Sequence, residues 1–223
     1  MADPTGDNLF REIEEDLRRD RLERLWKRFG GWIIAAGVAV VLAVGGAELW
    51  RNHERSQREA AGDQFFQAIQ IAPQNPDAAG EALRALAATA PAGYRLLAGL
   101  HEGSLALQRG DREAAARIYE DLAQRAGGEP ILRDAAIILA GYAAIGPSMS
   151  GDEAAALRAR LSPLLADTNP WRYSAGELTG LLDLQAGNRA EARRRFAALA
   201  ADPQTPAAMK ARATDILTQL DGK

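Results

Sequence analysis

The chain has two histidines, His53 and His101, and no cysteine. That leaves no thiolate nucleophile, no disulfide and no cysteine-based zinc or iron–sulfur site. Two histidines could serve as general bases or metal ligands, but each stands without a second histidine at ligand spacing: His53 lies in a charged stretch and His101 inside an apolar one. The adjacent acids Glu14-Glu15 and Asp152-Glu153 fall on polar faces or near helix starts, where a carboxylate favours the helix dipole and needs no reacting partner. Glycine-rich phosphate loops and the histidine–glutamate signature of zinc hydrolases are absent from the sequence. The reading is a non-enzyme with no catalytic, cofactor-binding or metal residues and no cofactor.

Charge narrows the class further. Twenty-seven basic and 30 acidic residues are mixed along the 223, for a net charge of −3, so no basic excess draws a nucleic acid. Aromatic residues make up only 6% and alanine is abundant, which favours closely packed helices over sheets. An all-α chain is expected.

The elements that would position any site begin with an apolar run. Nineteen residues from Phe29 to Ala47 carry no formal charge and lie between Arg28 and Glu48. As a helix they span roughly 28 Å, near the ~30 Å of a hydrocarbon core, with every backbone group satisfied internally. Trp26, Trp32 and Trp50 stand near the two ends, at headgroup depth. Six basic residues in positions 18–28 (Arg18, Arg19, Arg21, Arg24, Lys27, Arg28) face three in positions 48–58 (Arg51, Arg55, Arg58), which puts the amino terminus in the cytoplasm. A cleaved signal peptide would have a shorter charged lead and a shorter apolar core. Within the run, Gly31, Ala35, Ala39, Ala43 and Ala47 recur every fourth residue, a seam along which two membrane helices could pair, as in a homodimer.

Four segments follow: a cytoplasmic amphipathic and basic tail over 1–28, a transmembrane helix over 29–50, a helical stalk over 51–62 and a repeat domain over 63–223. In the tail, Leu9, Ile13 and Leu17 with Phe10 share a helical face suited to the inner membrane surface. In the repeat domain, breakers at Pro73–Pro76, Pro91–Gly93, Gly110-Asp111, Gly127-Gly128, Gly146–Gly151, Pro170, Gly187-Asn188 and Pro203–Pro206 mark helices of about 10–18 residues. Residues 131–168 read as one helix pair, with Pro163 inside its second helix.

Two units align. Gly103 is followed by Gly110, Ala115, Tyr119 and Leu122, and Gly180 by Gly187, Ala192, Phe196 and Leu199, at offsets of 7, 12, 16 and 19 in both. A glycine on one helix and an alanine on the next allow a close crossing that the aromatic fills. This resembles the tetratricopeptide repeat, with Gly99 and Glu102, or Gly176 and Thr179, where its tryptophan and leucine would stand. An α-solenoid of about four helix pairs is expected, with a capping helix over Thr205–Leu220. By the repeat register, Leu97, Leu100, Ser104 and Leu107 in one unit and Ser174, Leu181 and Leu184 in the other face or border a partner-binding groove. The leucines among them serve equally well as core.

As a whole the chain resembles the ancillary SecYEG translocon subunits, the YfgM-like proteins of Gram-negative bacteria. The resemblance rests on Arg24-Leu25-Trp26-Lys27-Arg28-Phe29-Gly30-Gly31-Trp32, on Trp50 and a stalk leading to Gln64-Phe65-Phe66, and on the weak repeats. The run Phe10–Arg19 looks like the alphaproteobacterial version. It implies an inner-membrane protein whose periplasmic repeat domain works beside the secretion channel with a membrane-anchored, prolyl-isomerase-like periplasmic chaperone, helping newly exported proteins. A scaffold subunit of another envelope complex, for cell division or for wall or polysaccharide assembly, shares these sequence features.

Overall fold

The computed structural model describes residues 4–126 and 129–222, and the side chains of 27, 28, 31, 32, 34, 35, 37–126 and 129–222 among them. The described residues form nine α-helices and one short 3₁₀ turn. In chain order these are α1 (Pro4–Ile71), α2 (Pro76–Thr89), α3 (Ala92–Gln108), α4 (Arg112–Arg125), α5 (Pro130–Ala144), α6 (Gly151–Leu161), the 3₁₀ turn Ser162–Leu165, α7 (Arg172–Gln185), α8 (Arg189–Ala201) and α9 (Ala207–Asp221). The chain divides into two compact units, Met1–Gln57 and Arg58–Lys223.

In the first unit the apolar side chains stand bare. Trp32, Ile34, Val38, Val40, Val41, Leu42, Val44 and Trp50 are all exposed. Successive helical positions point about 100° apart, so Val40, Val41 and Leu42 alone cover three directions. Counted over the described residues, no helix is long and apolar enough to cross a membrane. The Phe29–Ala47 run includes residues 29, 30, 33 and 36, whose side chains lie outside those described, as do Leu9, Phe10, Ile13, Leu17 and Trp26. Farther along α1, the Trp50 indole donates to Glu54 at 3.1 Å, and His53 is hydrogen-bonded to Gln57 at 2.9 Å.

The second unit is a succession of packed helix pairs. Ala61 and Ala68 of α1 share a core with Ala79, Leu83 and Leu86 of α2 and with Ala98 and Leu105 of α3. The next pair is built by α4, whose buried Ala115, Tyr119, Leu122 and Ala123 follow the spacing of one helical face. Ile138, Leu157, Leu161, Leu178 and Leu182 join α5, α6 and α7, and Phe196 of α8 packs with Met209 and Ala213 of α9. Each such large side chain, taken out of water, contributes about 1.5–3 kcal/mol.

Local chemistry sets the helix ends. The side chains of Asn75 and Asp111 accept from the amides of Ala78 and Ala114, and Ser150 with Glu153 forms a reciprocal capping box. Gly110 and Gly187 close the two aligned turns at φ +80° and +77°, a left-handed conformation that other residues adopt at a cost. In both turns the next amide reaches back five residues, Asp111 to Ala106 and Asn188 to Asp183, at 2.9 and 2.8 Å.

One expectation needs correction. Pro163 does not lie within the second helix of its pair: α6 ends at Leu161, and Pro163 falls in the 3₁₀ turn Ser162–Leu165. Proline lacks the amide an α-helix interior requires, and the tighter turn absorbs it while keeping Leu164 buried. The Gly127-Gly128 breaker lies outside the described residues.

Candidate functional site

The sequence alignment of the two units corresponds to a physical contact. A methyl group built on Gly103 would sit 2.5 Å from the Tyr119 ring, and one on Gly180 would sit 2.9 Å from the Phe196 ring. The same 16-residue offset separates Gly141 from Leu157, which a methyl on Gly141 would meet at 3.4 Å, but there Leu178 of α7 stands nearer, at 3.0 Å. Arg112 and Arg189, each just past its turn glycine, also play matching parts. Arg112 donates to the carbonyls of Tyr142 and Ile145 at the end of α5, and Arg189 to that of Leu220 at the end of α9. Each guanidinium satisfies carbonyls that the end of a helix leaves open.

Between these units lie acids that the sequence reading assigned no role. Glu177 is buried on α7, where it accepts two hydrogen bonds from Arg212 of α9 (2.8 and 2.9 Å) and one from the Tyr142 hydroxyl of α5. Asp183 is equally buried, held by Arg158 of α6 and Arg195 of α8 at 2.8 Å each. Asp134 accepts from Arg133 and from the Asn169 amide, and Glu102 from Arg84. Burial, and then the bond to the Glu177 carboxylate, push the Tyr142 hydroxyl far above its ordinary pKa. The same carboxylate raises that of Arg212. These carboxylates are engaged by donors, so they join helices and are not free to act as bases. Among the described residues no group of three or more His, Asp or Glu stands where a metal could be held.

A cleft of about 720 Å³ lies between α2, α3, α4 and α5. Its floor is apolar, with Ala87, Leu96, Gly99, Ile118, Leu122 and Leu132. Arg84, Arg95, Arg117 and Arg125 rim it, together with Glu102, Asp121 and Glu129.

None of the groove residues read from the register lines this cleft. Leu97 and Leu107 are exposed on α3, and Leu100 and Ser104 are half-buried. Leu100 packs against the core of α4 and α5, and its carbonyl faces the Tyr119 hydroxyl at 3.5 Å. On α7, Ser174 is half-buried, while Leu181 and Leu184 pack against Phe196 and Met209. Gly31, Ala35, Ala39, Ala43 and Ala47 are all exposed along α1. His101 is exposed, its ring edge-on to Phe65 at 5.2 Å. Leu96, beside Leu97 on α3, lines the cleft.

Stacked helix pairs with close glycine–aromatic crossings define an α-solenoid, a protein-interaction architecture that is typically a non-catalytic scaffold. The family described as tetratricopeptide repeat-like domain matches residues 23–216, and the chain belongs to it. No curated protein and no solved structure matches the chain.

Proposed function

We propose that this chain is a single-pass, membrane-anchored interaction adaptor of the bacterial envelope. The Phe29–Ala47 run crosses the inner membrane, the amino terminus is cytoplasmic, and the repeat domain is periplasmic. There it works beside the secretion channel with a membrane-anchored chaperone, receiving newly exported proteins. The observation that carries the reading is the bare apolar surface of α1, where Ile34, Val38, Val40, Val41, Leu42 and Val44 are exposed and the exposed Ala35, Ala39 and Ala43 occupy the arc between them. A helix apolar all round favours hydrocarbon over water. The six-to-three excess of basic residues before the run supports the orientation, and the interaction fold supports the adaptor role.

A photocrosslinking side chain at the exposed positions Leu97 and Leu107, used in intact cells, tests the partner assignment. Capture of a secretion-channel subunit or of a membrane-anchored periplasmic chaperone is expected. Capture of division or wall-synthesis proteins would move the adaptor to another envelope complex. Capture of cytoplasmic proteins alone would contradict the orientation.

A further inference from the structure

The cleft between α2 and α5 contrasts with another concavity, of about 790 Å³, beside α6 and α7. That one is lined by small residues such as Ala154, Ala155, Ala159 and Ala186, and its single arginine, Arg158, is bound to the buried Asp183. It has shape but little charge with which to select an occupant. The α2–α5 cleft has both.

Its arginines retain donors. Arg84 meets Glu102 through one nitrogen at 2.9 Å, Arg125 meets Asp121 through one at 2.9 Å, and Arg117 meets Glu113 through one at 2.5 Å. Arg95 is exposed and has no acidic partner among the described residues. A guanidinium carries five N–H donors, so each of these groups keeps an edge free. The acids are differently placed: Glu102 and Asp121 are already engaged, and only Glu129, at the start of α5, lacks a side-chain partner among the described residues. Free hydrogen-bonding capacity in the cleft is therefore mostly cationic donor capacity, set around an apolar floor.

We propose that this cleft docks a polypeptide segment in which apolar side chains alternate with acidic ones. The apolar residues would enter over Leu96, Ile118 and Leu132, and the carboxylates would meet Arg95 and the free edges of its neighbours. A concave cleft admits a short segment more readily than the broad face of a folded domain. The inference rests on the protein-interaction reading but not on any particular envelope complex.

The test uses two short fluorescein-labelled peptides, one alternating leucine with glutamate and the other alternating leucine with lysine. Each is titrated by fluorescence anisotropy against the full chain in neutral detergent micelles. The glutamate peptide is expected to bind and the lysine peptide not to. Arg95→Glu weakens the glutamate peptide by about tenfold and gives the lysine peptide measurable binding. Arg95→Gln, which removes the positive charge without reversing it, weakens the glutamate peptide to a smaller extent and reports that loss should the reversal disturb folding. Ala88→Trp, placed at an exposed position in the lining, fills the cleft and weakens binding with the helical circular dichroism unchanged.

Equal binding of the two peptides, binding of neither, or indifference to all three variants would overturn the proposal. So would cleft-dependent binding of phosphatidylglycerol vesicles in place of peptide, which would assign the cleft to lipid. Envelope crosslinks from Leu97 and Leu107 alongside variant-insensitive peptide binding would defeat the cleft proposal alone. Cleft-dependent peptide binding with only cytoplasmic crosslinks would defeat the envelope reading alone.

Discussion

At Gly103 a hydrogen stands where any other residue would place a carbon 2.5 Å from the buried Tyr119 ring. Two effects oppose each other in Gly103→Ala. Alanine gains about 1 kcal/mol of helix propensity, and overpacking against a ring that has no room to move costs about 1–3 kcal/mol. The clash wins, so the variant should lose about 1 kcal/mol and melt at a lower temperature. Gly176→Ala reverses the sign, because its new methyl would meet Leu199 at an ordinary 3.6 Å. That variant should melt higher, and a lower melting temperature would contradict the packing account. Tyr142 carries a pH prediction. Its folded pKa lies above the unfolded value near 10, so above that pH the unfolded chain releases protons first. Stability to urea should therefore fall as the solution passes from about pH 9 to about pH 11. Tyr142→Phe should reduce that alkaline slope without abolishing it, since burial also raises Tyr119.

At the scale of elements, α6 is the shortest α-helix described, 11 residues, and its start depends on Ser150 and Glu153 capping each other. Bonds from the Ser150 amide and hydroxyl lower the Glu153 pKa, so this support is present above the ordinary carboxylate range and lost as acid protonates it. Ser150→Ala removes one half of the box and should cost about 1 kcal/mol. Amide hydrogen exchange would register it as faster opening in α6 than in α8, whereas uniform change across the repeat domain would show that α6 has no separate opening. The helix ends were the most legible part of the sequence. Proline and glycine punctuate them by backbone chemistry alone, which is why the breakers at Pro73, Gly110, Gly187 and Pro203–Pro206 fall in the observed connections and Pro76 opens α2. Pro163 was misplaced because a proline two residues past a helix end and one inside it read alike until the 3₁₀ turn is seen.

On the scale of the whole molecule, the repeat was legible where it depends on contacts at fixed spacing, as in the Gly103–Tyr119 and Gly180–Phe196 crossings. Pairings between distant residues were not. Glu177 finds Arg212 35 residues away, and Asp183 finds Arg195 12 residues away, across gaps no local pattern encodes. In sequence such acids look solvated, and only stacking of α5, α7 and α9 reveals that they are buried. The cleft was hidden for a related reason. Leu96 and Leu97 are neighbours on α3, and the packing of α4 and α5 decides which one faces it. The claim that organises the account is that the chain crosses the membrane once, with the repeat domain outside, and the absence of native cysteine makes it directly testable. Single cysteines introduced by Asn8→Cys and, at an exposed site on α9, Ala208→Cys would be probed in spheroplasts with a membrane-impermeant maleimide. The account predicts labelling at Ala208→Cys in intact spheroplasts and at Asn8→Cys only after lysis; labelling in the reverse order, or release of the chain from membranes by alkaline carbonate, would contradict it.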